Sequence, residues 1–532
     1  MDNAQIADRL DAMAAVLELG EANPYTTRAY RRAAETIRST ALPVAELVRA
    51  GRVRELSGIG PGIEARLREL VETGRIAELA ELEAELAPDL VGLGRYLGLS
   101  ARKSVQIARA LGVSTAEELR EAAAAGRLRG VPGVGPKTEA QLLEALQRDP
   151  EDRPRQGLTL NRAWELVGGI AAALEAQVAG DVRRWRDSCE RLAVVSTAEG
   201  ARERFAELPQ IVAIVERHER GAVGVTVEGV PVELVVAEPR QLGTALLRAT
   251  GSPAYVADLE PLPDASDEES VYAALGLPWL PPELRERPFR GEPPQLVELG
   301  DIRGDLHCHT TWSDGRASVE EMGRSAIERG YEYLAICDHT PAVGAVRGLT
   351  PDEVRRQGEE IAAANEVLAP FRVLRGIECD ILTDGRLDLP DDVLAELDWV
   401  QASVHGGQRM PERELTKRVE HALRNPSVRC LSHPKGRMIG RRPENALDLE
   451  RIFEVALEED VALEVNGLPN RLDLSGEHVR EALQAGVPIV CSTDAHSQLG
   501  LANMALSVVT ARRGWAAAAD VLNTRPLAEL LG

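Results

Sequence analysis

From Ala4 to Gly126 apolar residues recur at spacings of three and four, as in IADRLDAMAAVLEL, AYRRAAETIRS and IAELAELEAEL, with short Gly, Pro or Asn breaks between them. This periodicity predicts amphipathic helices and an all-helical first module. Two breaks are alike: LSGIGPGIEARLREL (Leu56 to Leu70) and LRGVPGVGPKTEAQLLEAL (Leu128 to Leu146) each read as helix, Gly-x-Gly turn, helix. After Arg153-Pro154 the pattern becomes mixed. A helix over Leu160 to Ala176 precedes the strand-like runs VAGDV, RLAVVS, IVAIVE and VGVTVEGVPVELVVAE, the last a hairpin centred on Glu228-Gly229. Proline-rich, acidic sequence around Leu277 to Pro294 predicts a connector. From Asp301 to Gly532 the runs GDLHCHT, YLAICDHT, VLRGIECD, WVQASVHGG, RCLSHPKG, ALEVNG and PIVCSTDAHS alternate with helical stretches, a βα repeat that fits a barrel or an open sheet.

Length and charge then narrow the function. The 532 residues suffice for several domains, and no uninterrupted apolar run is long enough for a membrane span. The N-terminus carries Asp2, Asp8, Asp11 and Glu18, unlike a secretory segment, and the six cysteines form no CxxC pair, so a reducing, cytoplasmic setting is expected. Net charge is −23, which argues against a chain that coats nucleic acid through a basic surface. The excess is uneven: residues 1–150 hold 20 basic and 22 acidic side chains, leaving 42 and 63 for the rest. Simple electrostatic binding of a polyanion is therefore expected near the N-terminus. Of the 62 basic residues only Lys103, Lys137, Lys417 and Lys435 are lysines.

The chemistry is concentrated at the ends of the C-terminal apolar runs. Six of the nine histidines fall there, and the candidate metal ligands are His307, His309, Asp314, His339, Glu378, His405, His433, Asp494 and His496. Side chains at i and i+2 of a strand point to one side, which pairs His307 with His309 and Asp494 with His496. The C-terminal ends of strands are where (β/α) barrels display active-site groups. Imidazoles mixed with carboxylates suit Zn, Mn or Fe, and two or more such ions are a common solution to phosphate-ester cleavage. Asp338 is expected to support a ligand, and Cys308, Cys337, Cys379, Cys430 and Cys491 to pack strands. His218, His421 and His478 lack partners in sequence and are expected on the surface or in the core.

Taken together, GDLHCHTTWSDG, AICDHT, GIECDIL, SVHGG, LSHPKGR and STDAHS resemble the PHP (polymerase and histidinol phosphatase) domain over some 230 residues. The resemblance implies a distorted (β/α)7 barrel with three divalent metal ions, Mn2+, Zn2+ or Fe2+. It implies a first ion on His307, His309, Glu378 and Asp494, a second on Glu378, His405 and His433, and a third on Asp314, His339 and His496. Such ions would attract a phosphodiester to an otherwise acidic domain. Lys435, Arg437, Arg441 and Arg442 follow His433 closely and are candidate phosphate clamps, or else a solvated basic run.

The whole chain is similar to bacterial family X DNA polymerases. That resemblance implies an all-α helix-hairpin-helix region over 1–150, an α+β vestigial polymerase (nucleotidyltransferase-like) domain over 151–275, a proline-rich connector over 276–300 and the PHP barrel over 301–532. Gly58, Gly60, Gly133 and Gly135 would let backbone N–H groups approach a DNA phosphate without reading sequence. The polymerase residues depart from the family pattern. The triphosphate-gripping segment reads Gly180-Asp181-Val182-Arg183-Arg184, and the metal-binding acids are replaced by Glu190, Leu192 and Glu233. Mg2+ demands near-ideal octahedral geometry, so these changes predict a disabled polymerase. Arg66 stands where lyase-competent relatives carry a Schiff-base lysine, and guanidinium does not serve as that nucleophile.

The expected function is a metal-dependent phosphoesterase on DNA, a 3′–5′ exonuclease or 3′-end processing activity in repair, acting at gaps or 3′ ends. Three alternatives remain open at this stage: retained gap-filling polymerase activity, hydrolysis of small phosphate monoesters, and a non-catalytic repair scaffold.

Overall fold

The computed structural model describes residues 3–19, 24–39, 44–56, 58–79 and 157–531 except 227, 228 and 345; between 80 and 156 it describes 107, 110–113, 118, 122, 125–131 and 134. The N-terminal region is helical as the periodicity predicts, with helices Asn3–Leu19, Pro24–Ser39, Val44–Arg49 and Pro61–Thr73. Their apolar stripes meet in one core that includes Ile6, Leu10, Ile37, Leu67 and Leu70. The break at Leu56 to Leu70 is a true helix-to-helix turn: Gly58 is left-handed (φ +81°), and Gly60 caps the helix that starts at Pro61. The second hairpin, with Gly133 and Gly135, lies outside the described residues.

Beyond residue 157 a short antiparallel pair, β1 (Leu158–Thr159) and β3 (Ser188–Cys189), flanks a five-stranded mixed sheet. That sheet is built from β2 (Ala176–Ala179), β4 (Leu192–Ser196), β5 (Ile211–His218), β6 (Gly221–Thr226) and β7 (Pro231–Val236), in the order β2-β4-β7-β6-β5. Strands β6 and β7 form the expected hairpin, and β4 and β7 run parallel with Leu192 opposite Val232. Helix Leu160–Leu174 covers one face through Ala163, Val167, Ile170 and Leu174. The proline-rich stretch is more than a tether. Leu280, Leu284 and Leu296 pack with Leu247, Tyr255 and Tyr272 in a core of their own.

The C-terminal domain is a seven-stranded, all-parallel sheet: β8 (Gly304–Cys308), β9 (Tyr333–Ile336), β10 (Arg372–Asp380), β11 (Trp399–Ser403), β12 (Val428–Leu431), β13 (Ala462–Asn466) and β14 (Ile489–Ser492). The strands neighbour one another in chain order. A parallel bridge between Cys308 and Ala495, with the His309 N–H donating to the Ala495 carbonyl at 2.8 Å, brings the last strand back to the first. The barrel alternative is therefore the correct one. The apolar runs read as continuous because both faces are covered. On β9, Leu334 and Ile336 join the large core shared with the surrounding helices, whereas Tyr333 and Ala335 join Leu306, Leu374, Trp399 and Val490 in a separate inner cluster. The helices start where sequence signals say they should: Ser318 and Glu321, and Thr350 and Glu353, form reciprocal capping boxes at helices Val319–Glu328 and Pro351–Leu368.

The middle domain and the barrel share a packed seam. Leu472, fully buried, is part of the middle domain's core, and Ile439, Leu506 and Val509 pack against it. Arg437 pairs with Asp187 at 2.6 Å, and Arg512 with Glu283 at 2.6 Å.

Candidate metal centre

Every one of the nine side chains expected as a ligand is found at the C-terminal end of the barrel strands, and all but three are essentially buried. His307, His309, Glu378, His433 and Asp494 are at most 3 % exposed. The side chains of His405, Asp314 and His496 keep 16 %, 25 % and 35 % of their surface, so these three mark the mouth.

Glu378 is the hub. One carboxylate oxygen, Oε2, lies 2.9 Å from His339 Nδ1, 3.6 Å from His307 Nε2 and 3.8 Å from His309 Nε2. Its other oxygen, Oε1, lies 2.9 Å from His433 Nε2 and 3.4 Å from His405 Nε2. Asp494 Oδ1 lies 3.0 Å from His309 Nε2 and 3.8 Å from His307 Nε2. Asp314 faces His496 at 3.2 Å, His339 at 3.6 Å and His309 Nδ1 at 3.9 Å. Three sets of donor atoms are close enough to share an ion: His309, Asp314, His339 and His496; His307, His309 and Glu378; and His339, Glu378 and His405. The grouping differs from that implied by the resemblance: Asp494 and His433 fall in none of the three sets, and two histidines are shared. His309 presents one nitrogen to each of two sets, and His339 approaches Glu378 as well as Asp314.

Whether metals suit this cluster can be judged from its own atoms. His307 Nε2, His309 Nδ1, His339 Nδ1, His433 Nδ1 and Glu378 Oε2 are buried without a hydrogen-bond partner. Buried polar atoms are rarely left so. The electrostatics agree. Burial disfavours charge on His307, yet Glu464, Asp494 and Glu378 raise its pKa well above the ordinary value. Burial likewise opposes ionisation of Glu378 and Asp494, but the surrounding imidazoles hold both well below the usual carboxylate range. His309 moves the other way, down to about 3, through burial and the neighbouring His496 and His339. A site that draws protons toward its imidazoles by buried carboxylates will draw divalent cations by the same field. The residues fit the ions.

The supporting carboxylates lie on the same strand ends. Glu464, fully buried on β13, accepts from His307 Nδ1 at 2.6 Å, from the His433 backbone N–H at 2.6 Å and from Ser432 and Ser492. Holding Nδ1–H leaves Nε2 of His307 as the free lone pair. Asp305 accepts from Thr493 and from the His307 backbone N–H, and Asp380 from the His405 backbone N–H. Asp338 accepts from Thr310, Ser313 and Gln357 and reaches no ligand nitrogen with its side chain. Glu464, Asp305 and Asp380 were not singled out from sequence. Their signal is a carboxylate inside a buried strand, as in ALEVN, where only a partner makes an acid tolerable. His433 and Asp494 sit at positive φ (27° and 52°), backbone conformations that L residues seldom adopt and that cluster at functional sites.

The cysteines are all free and buried, and none joins a donor set among the described residues. Burial raises Cys379 and Cys491 to about 12, which keeps them as thiols. His218 and His421 are exposed, and His478 lies 3.8 Å from Glu444.

Of the candidate phosphate clamps, Lys435 is buried and donates to the Leu447 carbonyl, and Arg437 is turned toward Asp187 and the carbonyls of Arg471 and Leu472. Arg442 donates to the Gly436 carbonyl, and Arg441 is exposed. In the middle domain, Asp181 spends both oxygens inside the protein, one on Arg184 at 2.5 Å and one on the backbone N–H groups of Glu190 and Arg191. Arg183 is held by Glu268 at 2.7 and 2.8 Å. Glu190 is exposed, Leu192 is in the core, and Glu233 is half-buried beside Ala193. In the N-terminal hairpin, Gly58 and Gly60 leave open space where a Cβ would stand, and no side chain caps the helix at Pro61, so its first N–H groups stay available to an anion.

Residues 1–76 match the helix-hairpin-helix domain, 97–148 a SAM-like helix-hairpin-helix tandem, and 305–467 the PHP domain. The chain is 35 % identical over 568 residues to DNA polymerase/3′-5′ exonuclease PolX of Bacillus subtilis, covering 100 % of this chain and 99 % of that protein. The chain belongs to the PolX family. It is also 32 % identical over 201 residues to a probable phosphatase of Acetivibrio thermocellus, covering 36 % of this chain and 78 % of that protein, and 28 % identical over 218 residues to a probable phosphatase of Photobacterium profundum, covering 37 % and 80 %. PolX membership explains the combination of helix-hairpin-helix turns, a mixed-sheet domain and a PHP barrel in one chain. Among its described residues no helix is long and apolar enough to cross a membrane.

Proposed function

We propose that this PolX-family chain is a metal-dependent phosphoesterase that trims DNA 3′ ends, a 3′–5′ exonuclease or 3′-end processing enzyme, and that its middle domain no longer transfers nucleotides. The observation that carries the reading is the convergence of the nine expected side chains on one barrel mouth, seven of them in sets close enough to share an ion, with five buried ring and carboxylate atoms left without partners. Three ions would be held by His307, His309, Glu378 and Asp494; by Glu378, His405 and His433; and by Asp314, His339 and His496. Divalent ions there supply Lewis acidity toward a phosphodiester. The protein's own part is orientation. Glu464 fixes the tautomer of His307, Asn466 holds Asp494 Oδ2 at 3.0 Å, and Ser403 meets His405 Nδ1 at 3.1 Å. The helix-hairpin-helix region would deliver the barrel to gaps and ends through sequence-independent phosphate contacts.

The reading of the middle domain rests on spent charge. A triphosphate grip needs unpartnered cations, and both Arg183 and Arg184 are neutralised by the chain's own Glu268, Asp181 and Glu286. Among the described residues that domain offers no group of three metal-ligating side chains.

Labelled single-stranded and gapped DNA incubated with Mn2+ tests the proposal. Shortening from the 3′ end by wild type, lost in a His307→Ala plus His309→Ala variant, is expected; equal behaviour of the two proteins defeats it. Primer extension with Mg2+ or Mn2+ should yield no product. A second reading, hydrolysis of small phosphate monoesters, is supported by the similarity to probable phosphatases. Fast monoester turnover without DNA cleavage would favour it.

A further inference from the structure

Of the basic residues expected beside the metal centre, Lys435 and Arg437 are spent on protein partners and Arg441 is exposed, which leaves Arg442 and a residue that no sequence motif marked, Arg471. Arg471 lies on the loop after β13, with Nε 3.9 Å from Asp494 Oδ2. That carboxylate is a poor partner: Oδ2 already accepts from Asn466 at 3.0 Å, and Oδ1 faces His309 at 3.0 Å. Arg471 Nη1 is buried and has no hydrogen-bond partner. Arg442 stands on the neighbouring loop, which the Ile439 N–H joins to the Asn470 carbonyl at 2.8 Å. Burial and the Arg471 charge lower the Arg442 pKa, against the Asp473 carboxylate, which raises it.

A guanidinium beside the metal cluster with a buried unspent N–H, on a loop bonded to the one that carries a second arginine, makes a site whose missing component is an anion. We infer that Arg471, with Arg442, forms a phosphate subsite beside the metal cluster and takes a phosphate of the substrate strand. The inference deepens the phosphoesterase reading and rests on it. The loop is held in place from the middle domain. Arg437 donates to the carbonyls of Arg471 and Leu472 while pairing with Asp187, and Leu472 is buried in the middle domain's core. Arg437 is thus a positioning residue for Arg471.

Calorimetric titration of inorganic phosphate into the Mn2+-loaded full chain tests this without any turnover. Wild type should bind phosphate, Arg471→Ala about tenfold or more weakly, and Arg471→Lys in between, since an ammonium lacks the planar fork. Metal content measured by elemental analysis should stay at the wild-type level. KM for a single-stranded oligonucleotide should rise by a similar factor, with kcat much less affected. Wild-type phosphate affinity in Arg471→Ala, or no phosphate binding by wild type, overturns the subsite. So does loss of metal together with the arginine, which would make Arg471 a support for Asp494 alone. If Arg471→Ala does not fold, as judged by its melting curve, Arg442→Ala and Arg471→Lys carry the test. Phosphate binding that depends on Arg471 in a protein that leaves DNA intact would defeat the nuclease reading and keep the subsite. DNA cleavage at wild-type KM by Arg471→Ala would do the reverse.

Discussion

Replacing Glu464 by Gln removes one charge and changes no shape, yet the hydrogen-bond pattern around it forces a specific failure. All five groups on this carboxylate donate in the wild-type arrangement. Oε1 accepts from His307 Nδ1 at 2.6 Å and Ser492 Oγ at 2.5 Å; Oε2 accepts from the His433 N–H at 2.6 Å, Ser432 Oγ at 2.9 Å and Asn466 Nδ2 at 3.3 Å. An amide offers one accepting and one donating end. The hydroxyls can turn round, but the His433 backbone N–H cannot, so the amide oxygen must occupy the Oε2 position. Its NH2 then faces His307, whose Nδ1 has to accept, and the ring proton moves to Nε2, the atom left free toward Glu378 and Asp494. A protonated Nε2 cannot ligate. Loss of such a supporting contact costs about 10- to 100-fold in metal affinity, or roughly 1.4 to 2.7 kcal/mol. The opposite amide orientation is no escape, since it sets NH2 against the His433 N–H and leaves buried donors unsatisfied, at about 1 to 3 kcal/mol. Competition between the protein and a chelator for Mn2+, with melting of the metal-free protein as control, separates the two outcomes. Glu464→Gln with wild-type metal affinity and wild-type metal-free stability would refute the tautomer argument.

Two further predictions concern the seam and the core of the middle domain. Burial opposes ionisation of Glu268, but Arg183 and Arg285 hold its pKa below the ordinary value, so its stabilisation is fully present above the unfolded carboxyl pKa of roughly 4.3 and is lost as pH falls through the lower folded value. Glu268→Gln leaves the fully buried Arg285 without its counter-charge and should cost about 3 to 5 kcal/mol at neutral pH. Denaturant unfolding of both proteins from pH 7 down to pH 3 should show that difference shrinking; a constant difference would contradict it. Leu472→Ala opens a cavity between the barrel loop and the middle domain, with an expected cost of about 2 to 5 kcal/mol. Unfolding followed by tryptophan fluorescence, which the stacked Trp164 and Trp185 report from the middle domain, should shift to lower denaturant; an unchanged midpoint would mean the seam carries no stability.

Much of this arrangement is legible in the amino-acid sequence, for physical reasons that differ by residue. The nine candidate ligands stood out because a buried strand ending in His or Asp is costly unless something binds it, and that cost leaves a mark in sequence. The hairpin at Gly229, with φ +82°, and the turn at Gly58 were legible because only glycine adopts such backbone freely. The grouping of ligands was less so: His309 serves two donor sets through opposite ring nitrogens, and ring orientation is fixed by tertiary contacts. Glu464 was hidden because its partners lie at sequence separations of 157, 31 and 28 residues. Arg471 was hidden too, since its meaning depends on which neighbours Arg437 and Lys435 consume. The proline-rich stretch looked like a tether from composition alone, yet Leu280, Leu284 and Leu296 give it a core to join.

The middle domain shows how charge that could grip a ligand becomes charge that holds a fold. Arg184 bonds Asp181, Glu286 and the Thr250 carbonyl, and Arg183 bonds Glu268 and Thr250, so each guanidinium has its fork filled from within. A triphosphate would have to displace carboxylates whose own charge would then be buried unpaired, a penalty of several kcal/mol per group. The same segment continues to Asp187, whose carboxylate burial would push up but whose neighbours Arg437 and Arg513, both from the barrel, hold down. The stretch 181–187 thus has its cations neutralised by Asp181, Glu268 and Glu286, and its last residue, Asp187, anchors the loop that follows His433. Leu192 offers no carboxylate, Glu233 lies half-buried on the sheet, and Asp187 is aimed across the seam at Arg437. The candidate metal centre and the sheet beside it are thus joined by Arg437 and Arg513 on Asp187 and by Leu472 in the sheet's core.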